Sequence, residues 1–113
     1  MVTYVFVATY PLDPWTILGD PSRRAIIERL STGACTVAGL AAEMPISRPA
    51  VSQHLKVLKD AGVVQDQPSG KHRIYSLDAA RLDRYRRQLD QFWSGALSNL
   101  AAADSNDREG EAG

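Results

Sequence analysis

The strongest helical pattern in the chain lies between residues 47 and 62, in the segment SRPAVSQHLKVLKDAG. On a helical wheel of about 100° per residue, Leu55 and Leu58 fall within about 40° of Val51. These three residues form a narrow apolar stripe, which must face a core. The spacing therefore predicts one amphipathic helix with a single buried side.

Residues at both ends of this segment set its limits. Ser47 offers a side-chain oxygen to the free N–H groups of the first turn, and Pro49 is tolerated there because its missing N–H would be unpaired. Gly62 is suited to the position just after the last turn. The start and the end of the helix are therefore both written in the sequence.

The polar side of this predicted helix carries groups that suit DNA. Ser52 and Gln53 can bond base edges, and Lys56 can meet a phosphate or a guanine. Pro49 shares this side, and Arg48 flanks the start of the helix. A DNA-reading helix is one interpretation, and an ordinary amphipathic surface helix is the other.

The elements around this helix favour the DNA-reading interpretation. A second short helix, capped by Thr36, ends at Met44 before the break at residues 45–46, so that the two helices form a helix-turn-helix. Two β-rich runs follow, at residues 63–67 and 72–77, around a turn at 68–71. A hairpin after a helix-turn-helix is a wing. Its basic tip adds three candidate DNA contacts: Lys71, His72 and Arg73.

Two further helices are predicted before this region. Asp13 or Thr16 begins the first, which Gly19 stops. The second starts with Asp20 as N-cap and Pro21 at the first helical position, and it ends near residues 31–33. Its first turn holds Arg23 and Arg24, where the helix dipole does not favour cations. Phosphate contact, pairing with Asp20 or Glu28, and a solvated basic pair all remain open.

Asp78 caps a long terminal helix, predicted over residues 79–103. Its apolar positions cover more surface than a helix lying on so small a domain needs, which indicates a partner rather than the chain's own core. The run after Ala103 has neither periodicity nor apolar residues, and we expect residues 104–113 to be a disordered acidic tail.

Three long motifs resemble the ArsR family of winged helix-turn-helix repressors: LGDPSRRAIIERL at 18–30, LAAEMPISRPAVSQHLKVLKDAGVV at 40–64 and GKHRIYSL at 70–77. The resemblance covers roughly residues 15–100, and a looser one to MarR-like proteins comes second. It implies that the second helix of the pair enters the major groove, that the wing reaches the flanking backbone, and that the terminal helices form a homodimer. The candidate interface residues are Trp15, Leu18, Tyr85, Leu89, Phe92, Trp93, Ala96 and Leu100.

Charge is divided along the chain. The formal net charge is zero, but residues 20–78 hold eight Lys or Arg against six acids, and residues 104–113 hold one against four. Phosphate affinity must therefore come from local placement and from doubling in a dimer, with strong salt sensitivity. With 113 residues, 44% hydrophobic and 23% charged, we expect one globular winged-helix domain at 13–103, in the cytoplasm.

Residues 1–12 lie outside the resemblance as an N-terminal extension. Its first ten residues are β-prone. A disordered arm, a strand added to a partner and non-essential residues from an upstream start codon are the alternatives. We favour packing against something, because an exposed run of this kind is prone to aggregate.

The chemistry of metal sensing and catalysis has little support. Metal-sensing members of the family use a Cys pair on the first helix of the helix-turn-helix, or His and acidic ligands on the terminal helix; here residues 40–44 contain no Cys and residues 79–103 no His. His54 lies beside the apolar stripe, where packing or phosphate contact is expected. Cys35 precedes a helix start, as either a redox-sensitive thiol or a small apolar loop residue. No catalytic motif is recognisable.

We therefore expect a DNA-binding repressor that is not an enzyme. It needs no cofactor or metal, binds an imperfect palindrome in double-stranded DNA as a homodimer, and has no membrane partner. Its own operon is a candidate target, and an effector, if one exists, is unidentified. The alternative is a winged-helix scaffold that has lost DNA binding and joins other proteins through its terminal helix.

Overall fold

The structure, a computed structural model, describes the backbone of residues 13–112 and the side chains of residues 13–104. The predicted extension at residues 1–12 lies outside the described residues. The described elements are α1 (Pro14–Leu18), α2 (Pro21–Leu30), α3 (Val37–Glu43), α4 (Arg48–Asp60), β1 (Val64–Ser69), β2 (His72–Leu77) and α5 (Ala79–Ala112). The prediction of a mainly helical winged helix-turn-helix with one small hairpin is confirmed.

Each helix between residues 13 and 112 begins at a polar residue that the sequence offers as a cap, and of the two candidates for α1 it is Asp13 that caps it. The Thr36 hydroxyl accepts a hydrogen bond from the N–H of Gly39 at 3.1 Å. Ser47 accepts the N–H of Ala50 at 3.3 Å. Carboxylates cap the other three, and they belong to Asp13, Asp20 and Asp78. Each cap satisfies backbone donors that the first turn of a helix leaves without partners.

The apolar stripe of α4 lies at the centre of the core. Val51, Leu55 and Leu58 are at most 1% exposed, which confirms the prediction made from their spacing. Burying each such side chain stabilises the fold by about 1.5 to 3 kcal/mol. The other residues of this core between positions 13 and 82 come from α1, α2, α3, the connection after α4 and the first residue of β1: Ile17, Ile26, Leu30, Leu40, Ala61, Val63 and Val64.

The hairpin pairs β1 and β2 in antiparallel register, from Val64 opposite Leu77 to Ser69 opposite His72. The turn is tighter than predicted, because β1 continues through Pro68 and only two residues connect the strands. Gly70 takes the positive φ of 61° that such a turn requires at its first position. Pro68 is tolerated because a two-stranded sheet consists only of edges.

A short backbone bridge attaches the hairpin to the segment before α3. Cys35 donates to the carbonyl of Tyr75 at 3.0 Å and accepts from its N–H at 2.8 Å. The same segment leads directly into the Thr36 cap, so β2 and α3 share one anchoring point.

The terminal helix is longer than predicted. Helix α5 continues past Ala103 to Ala112, where the sequence had indicated a disordered tail. Residues 104–112 contain no proline, and adding residues to an existing helix is far easier than starting one. The chain divides after Leu82 into two compact units, called here the winged-helix unit (described from residue 13 to 82) and the terminal-helix unit (described from 83 to 112). Among the described residues, no helix has the length and apolar character needed to span a membrane.

Candidate nucleic-acid interface

Helix α4 presents its polar side to solvent over its full length. All the polar-side candidates are exposed, and they are Arg48, Pro49, Ser52, Gln53 and Lys56. Burial of the opposite stripe fixes the helix about its axis, so the exposed side cannot rotate away. A helix of 13 residues is about 20 Å long. Its diameter suits the major groove of B-DNA, which is about 12 Å wide.

The three wing candidates, Lys71, His72 and Arg73, are also exposed. Two of them share a cleft of about 210 Å³ with the start of α4, since its lining includes Arg48, His72 and Arg73. The rest of the lining is Thr36, Val37, Ala38 and Tyr75. The fold thus brings together two arginines and a histidine from separate parts of the sequence. Such a cleft suits an anionic group, and DNA offers a phosphate every few ångströms.

The sequence did not assign Thr36, Val37 and Ala38 to this surface. Their contribution depends on the Cys35–Tyr75 bridge, which brings the start of α3 beside β2. Residues 35 and 75 are 40 positions apart, and neither segment alone signals the pairing. The cleft is lined by neither Ser52, Gln53, Lys56 nor Lys71, which are placed elsewhere on the exposed surface.

One wing cation is held by an ion pair. The Asp66 carboxylate on β1 binds Arg73 of β2 and, at 2.8 Å, the ammonium of Lys59 in the last turn of α4. Only 5% of the Asp66 side chain is exposed, whereas Arg73 remains 53% exposed. Hydrogen bonds from Lys59 and Arg73 hold the pKa of Asp66 below its ordinary value, so the carboxylate stays charged. Arg73 is therefore both exposed to solvent and paired with a charged carboxylate.

His54 is half-buried beside the core stripe, as its position on the helical wheel predicts. It lies close enough to Asp20 to influence that carboxylate. Burial tends to raise the pKa of Asp20, but the backbone N–H groups of Arg23 and Ser22, together with His54, hold the pKa below its ordinary value. This position between α4 and the start of α2 supports packing as one role of His54.

The basic pair at the start of α2 has structural partners. Arg23 donates to the carbonyl of Thr16 at 3.1 Å and lies 3.9 Å from the Asp20 carboxylate. Arg24 donates to the carbonyl of Leu18. Both carbonyls belong to the end of α1, where backbone acceptors lack helical partners. The sequence leaves pairing of Arg23 with Asp20 as one alternative. It does not predict that both arginines donate hydrogen bonds to carbonyls at the end of α1.

The predicted interface residues differ in exposure. Large exposed fractions are found for Trp15 (46%), Phe92 (51%), Trp93 (55%) and Leu100 (66%). Leu18, Leu89 and Ala96 are half-buried. Tyr85 is 6% exposed, and its assignment to an interface stays a prediction. Leu97 was not assigned, yet it is 63% exposed.

Phe92 and Trp93 meet edge to face, with ring centroids 5.3 Å apart. Trp93, Leu97 and Leu100 recur at helical spacing along one side of α5. Trp93, Leu97 and Leu100 are together called the α5 apolar face.

Cys35 is half-buried, and its sulfur occupies the space beside Gly39: a Cβ atom added at Gly39 would lie 2.6 Å from Sγ. This environment favours the small apolar interpretation of Cys35. Within the described residues, no three His, Cys, Asp or Glu side chains are grouped as metal ligands would be.

Comparison with known proteins gives consistent results. Residues 20–66 match the family described as bacterial regulatory protein, arsR family. The chain is 50% identical over 97 residues to the HTH-type transcriptional regulator Rv2034 of Mycobacterium tuberculosis. The match covers 84% of this chain and 91% of Rv2034. It is 38% identical over 65 residues to the transcriptional repressor SdpR of Bacillus subtilis, covering 58% of this chain and 72% of SdpR.

A solved structure agrees with the fold as well. The crystal structure of a possible transcriptional regulator for arsenical resistance has a TM-score of 0.71 to this chain at 41% sequence identity. The match covers 80% of this chain and 94% of the other.

Proposed function

The chain belongs to the ArsR family of bacterial regulators and is a DNA-binding transcriptional repressor, and from this premise we propose how its residues bind an operator. Helix α4 lies in the major groove, where Ser52 and Gln53 contact base edges and Lys56 contacts a phosphate or a guanine. The exposed polar side of α4, fixed by its buried stripe, is the observation that carries this proposal.

The wing holds the DNA backbone next to that groove. Lys71 lies at the tip, and the cleft lined by Arg48, His72 and Arg73 receives a phosphate of the same duplex. These contacts position the protein and carry no sequence information themselves. In this assignment Pro49 and His54 lie along the helix as supporting contacts.

The functional unit is a homodimer on an imperfect palindrome, reached through Trp15 of α1 and the α5 apolar face. The large side chains of these surfaces are exposed by between 46% (Trp15) and 66% (Leu100). Such exposure is unusual for aromatic and leucine side chains. Two linked copies double the phosphate contacts of a chain whose formal net charge is zero. One protomer then reads one half-site of the operator.

Regulation by this protein is independent of metal, and it acts in the cytoplasm on targets that include its own operon. The support is that residues 40–44 contain no Cys and residues 79–103 no His, the types the metal-sensing relatives use there. An effector, if there is one, has yet to be identified.

The test is a titration of duplex DNA from upstream of the protein's own gene, against a random duplex of equal length. Gln53→Ala should weaken operator binding by about 1 to 3 kcal/mol and leave random binding nearly unchanged, because an amide at a base edge discriminates between sequences. Gln88→Ala is the matched control, since Gln88 is exposed on α5 in the terminal-helix unit. Equal losses on both duplexes would remove Gln53 from base reading.

Two further outcomes decide the broader proposal. Wild-type protein without any preference for the upstream duplex would favour the scaffold alternative, in which the terminal helix binds other proteins. Added zinc, cadmium or arsenite should leave operator affinity unchanged. Release by a metal that persists in Cys35→Ser would reveal ligands absent from the family positions.

A further inference from the structure

Asp66 occupies a distinctive place, at the junction of the recognition helix α4 and the wing. Its carboxylate lies 2.8 Å from the ammonium of Lys59, at the end of α4, and it also binds the guanidinium of Arg73 on β2. The Asp66 side chain is 5% exposed, although those of Lys59 and Arg73 are 52% and 53% exposed. One covered carboxylate thus links three elements: the recognition helix and both strands of the wing.

The geometry points to Asp66 as a positioning residue that sets operator selectivity by fixing the wing against the end of the recognition helix. The inference rests on the proposed function, since it concerns the same DNA-binding surface. A bound duplex meets α4 and the wing together, so base contacts form only if the two elements keep their relative placement. Asp66 also restrains two cations that would otherwise bind any phosphate.

The carboxylate is suited to this task because it is both covered and multiply bonded. Two charge-assisted hydrogen bonds from different elements define a geometry, whereas an exposed pair on one helix defines little. Across the hairpin, Asp66 stands opposite Tyr75, the residue that the bridge to Cys35 anchors. The ion triad and the backbone bridge therefore hold the same section of the wing from two sides.

The decisive experiment compares two variants that change net charge in opposite directions. Asp66→Asn removes a negative charge and releases Arg73 and Lys59, so random-duplex affinity should rise and the salt dependence should steepen by about 0.9 for each additional phosphate that is neutralised. Lys59→Met removes a positive charge, so random-duplex affinity should stay level or fall. Both break the triad, and both should lower the ratio of operator to random affinity by about threefold to tenfold.

Asp83→Asn is the matched control. Asp83, like Asp66, pairs with two cations, here Arg86 at 2.7 Å and Arg87 at 3.2 Å, but it lies within α5 in the terminal-helix unit. It should leave the affinity ratio unchanged. Lys59 is exposed, so Lys59→Met keeps the test valid even if Asp66→Asn lowers thermal stability too far for binding measurements.

The outcomes separate this inference from the proposed function. If both affinities shift by the same factor in each variant, charge alone explains the effect and the positioning role is overturned. An unchanged ratio in Lys59→Met overturns it as well. If the wild type itself shows no operator preference, the proposed function has failed. The wild-type affinities are therefore measured before those of any variant.

Discussion

The winged-helix unit and the terminal-helix unit use similar residues in opposite ways. In the first, the large aliphatic residues are covered, with Ile17, Ile26 and Leu40 at 0% exposure. In the second, Trp93 and Leu97 are more than half exposed. Charges differ too: Asp66 links separate elements, whereas the ion pairs of Asp83 among the described side chains are with arginines one turn away on its own helix.

This difference shows where each unit obtains its stability. The winged-helix unit closes its own core and can devote its exposed polar groups to DNA. The terminal-helix unit has an apolar face for which a single helix offers no core, and such patches on proteins mark sites of association. Truncations of Trp93 and Leu55 test whether the division holds.

The largest effect is expected from Trp93→Ala. About half of this side chain is exposed in one chain, and a symmetric dimer would bury that half twice. Because removal of one fully buried Trp costs about 3 to 5 kcal/mol, the dimer should weaken by a similar amount. Light scattering across a dilution series measures the shift towards monomer.

Operator affinity of Trp93→Ala should fall in parallel, although no DNA-contacting residue has changed. A wild type that is monomeric at micromolar concentration would contradict the division between the units. So would a variant that remains dimeric with full operator affinity, and either result would show that Trp93 does not hold a dimer together.

Leu55→Ala tests the other unit. Leu55 is 1% exposed, and its truncation should lower the free energy of unfolding by about 2 to 5 kcal/mol, because apolar burial is reduced and a cavity is left. Urea unfolding measures the loss. Leu97→Ala, at 63% exposure, is the control in the other unit, and its effect should depend on protein concentration. A large loss for Leu97→Ala that is independent of concentration would contradict the comparison.

The smallest effect is expected from the tip of the wing. Lys71→Gln should weaken binding to operator and random duplex alike, and it should reduce the salt slope by about 0.9 for each phosphate that the lysine no longer neutralises. Arg84→Gln removes an exposed cation from α5 and should change neither quantity. An unchanged slope in Lys71→Gln would remove the tip from the DNA interface.

Local features of the fold could be predicted from the sequence. Caps such as Thr36, Ser47 and Asp78 act within three residues of themselves, and the stripe of Val51 and Leu55 follows from helical spacing alone. Each signal is contained in one short window, so no knowledge of the rest of the chain is needed.

Features that join distant segments could not be predicted in this way. The triad of Asp66 depends on the exact strand register and on where α4 ends, and the cleft at Arg48 depends on a bridge between positions 35 and 75. Helical spacing gives the side of α5 on which Tyr85 lies but not what covers that side. The length of α5 was underestimated because polar composition does not by itself stop a helix.

The backbone bridge at Tyr75 limits how far the wing can extend. Beyond that anchor, β2 has only His72, Arg73 and Ile74 before the turn at Lys71. At about 3.3 Å per residue, the free arm is about 13 Å long. Stacked base pairs are about 3.4 Å apart, so the length of this free arm corresponds to about four of them. The reach of the wing is thus limited by a pair of backbone hydrogen bonds at Tyr75.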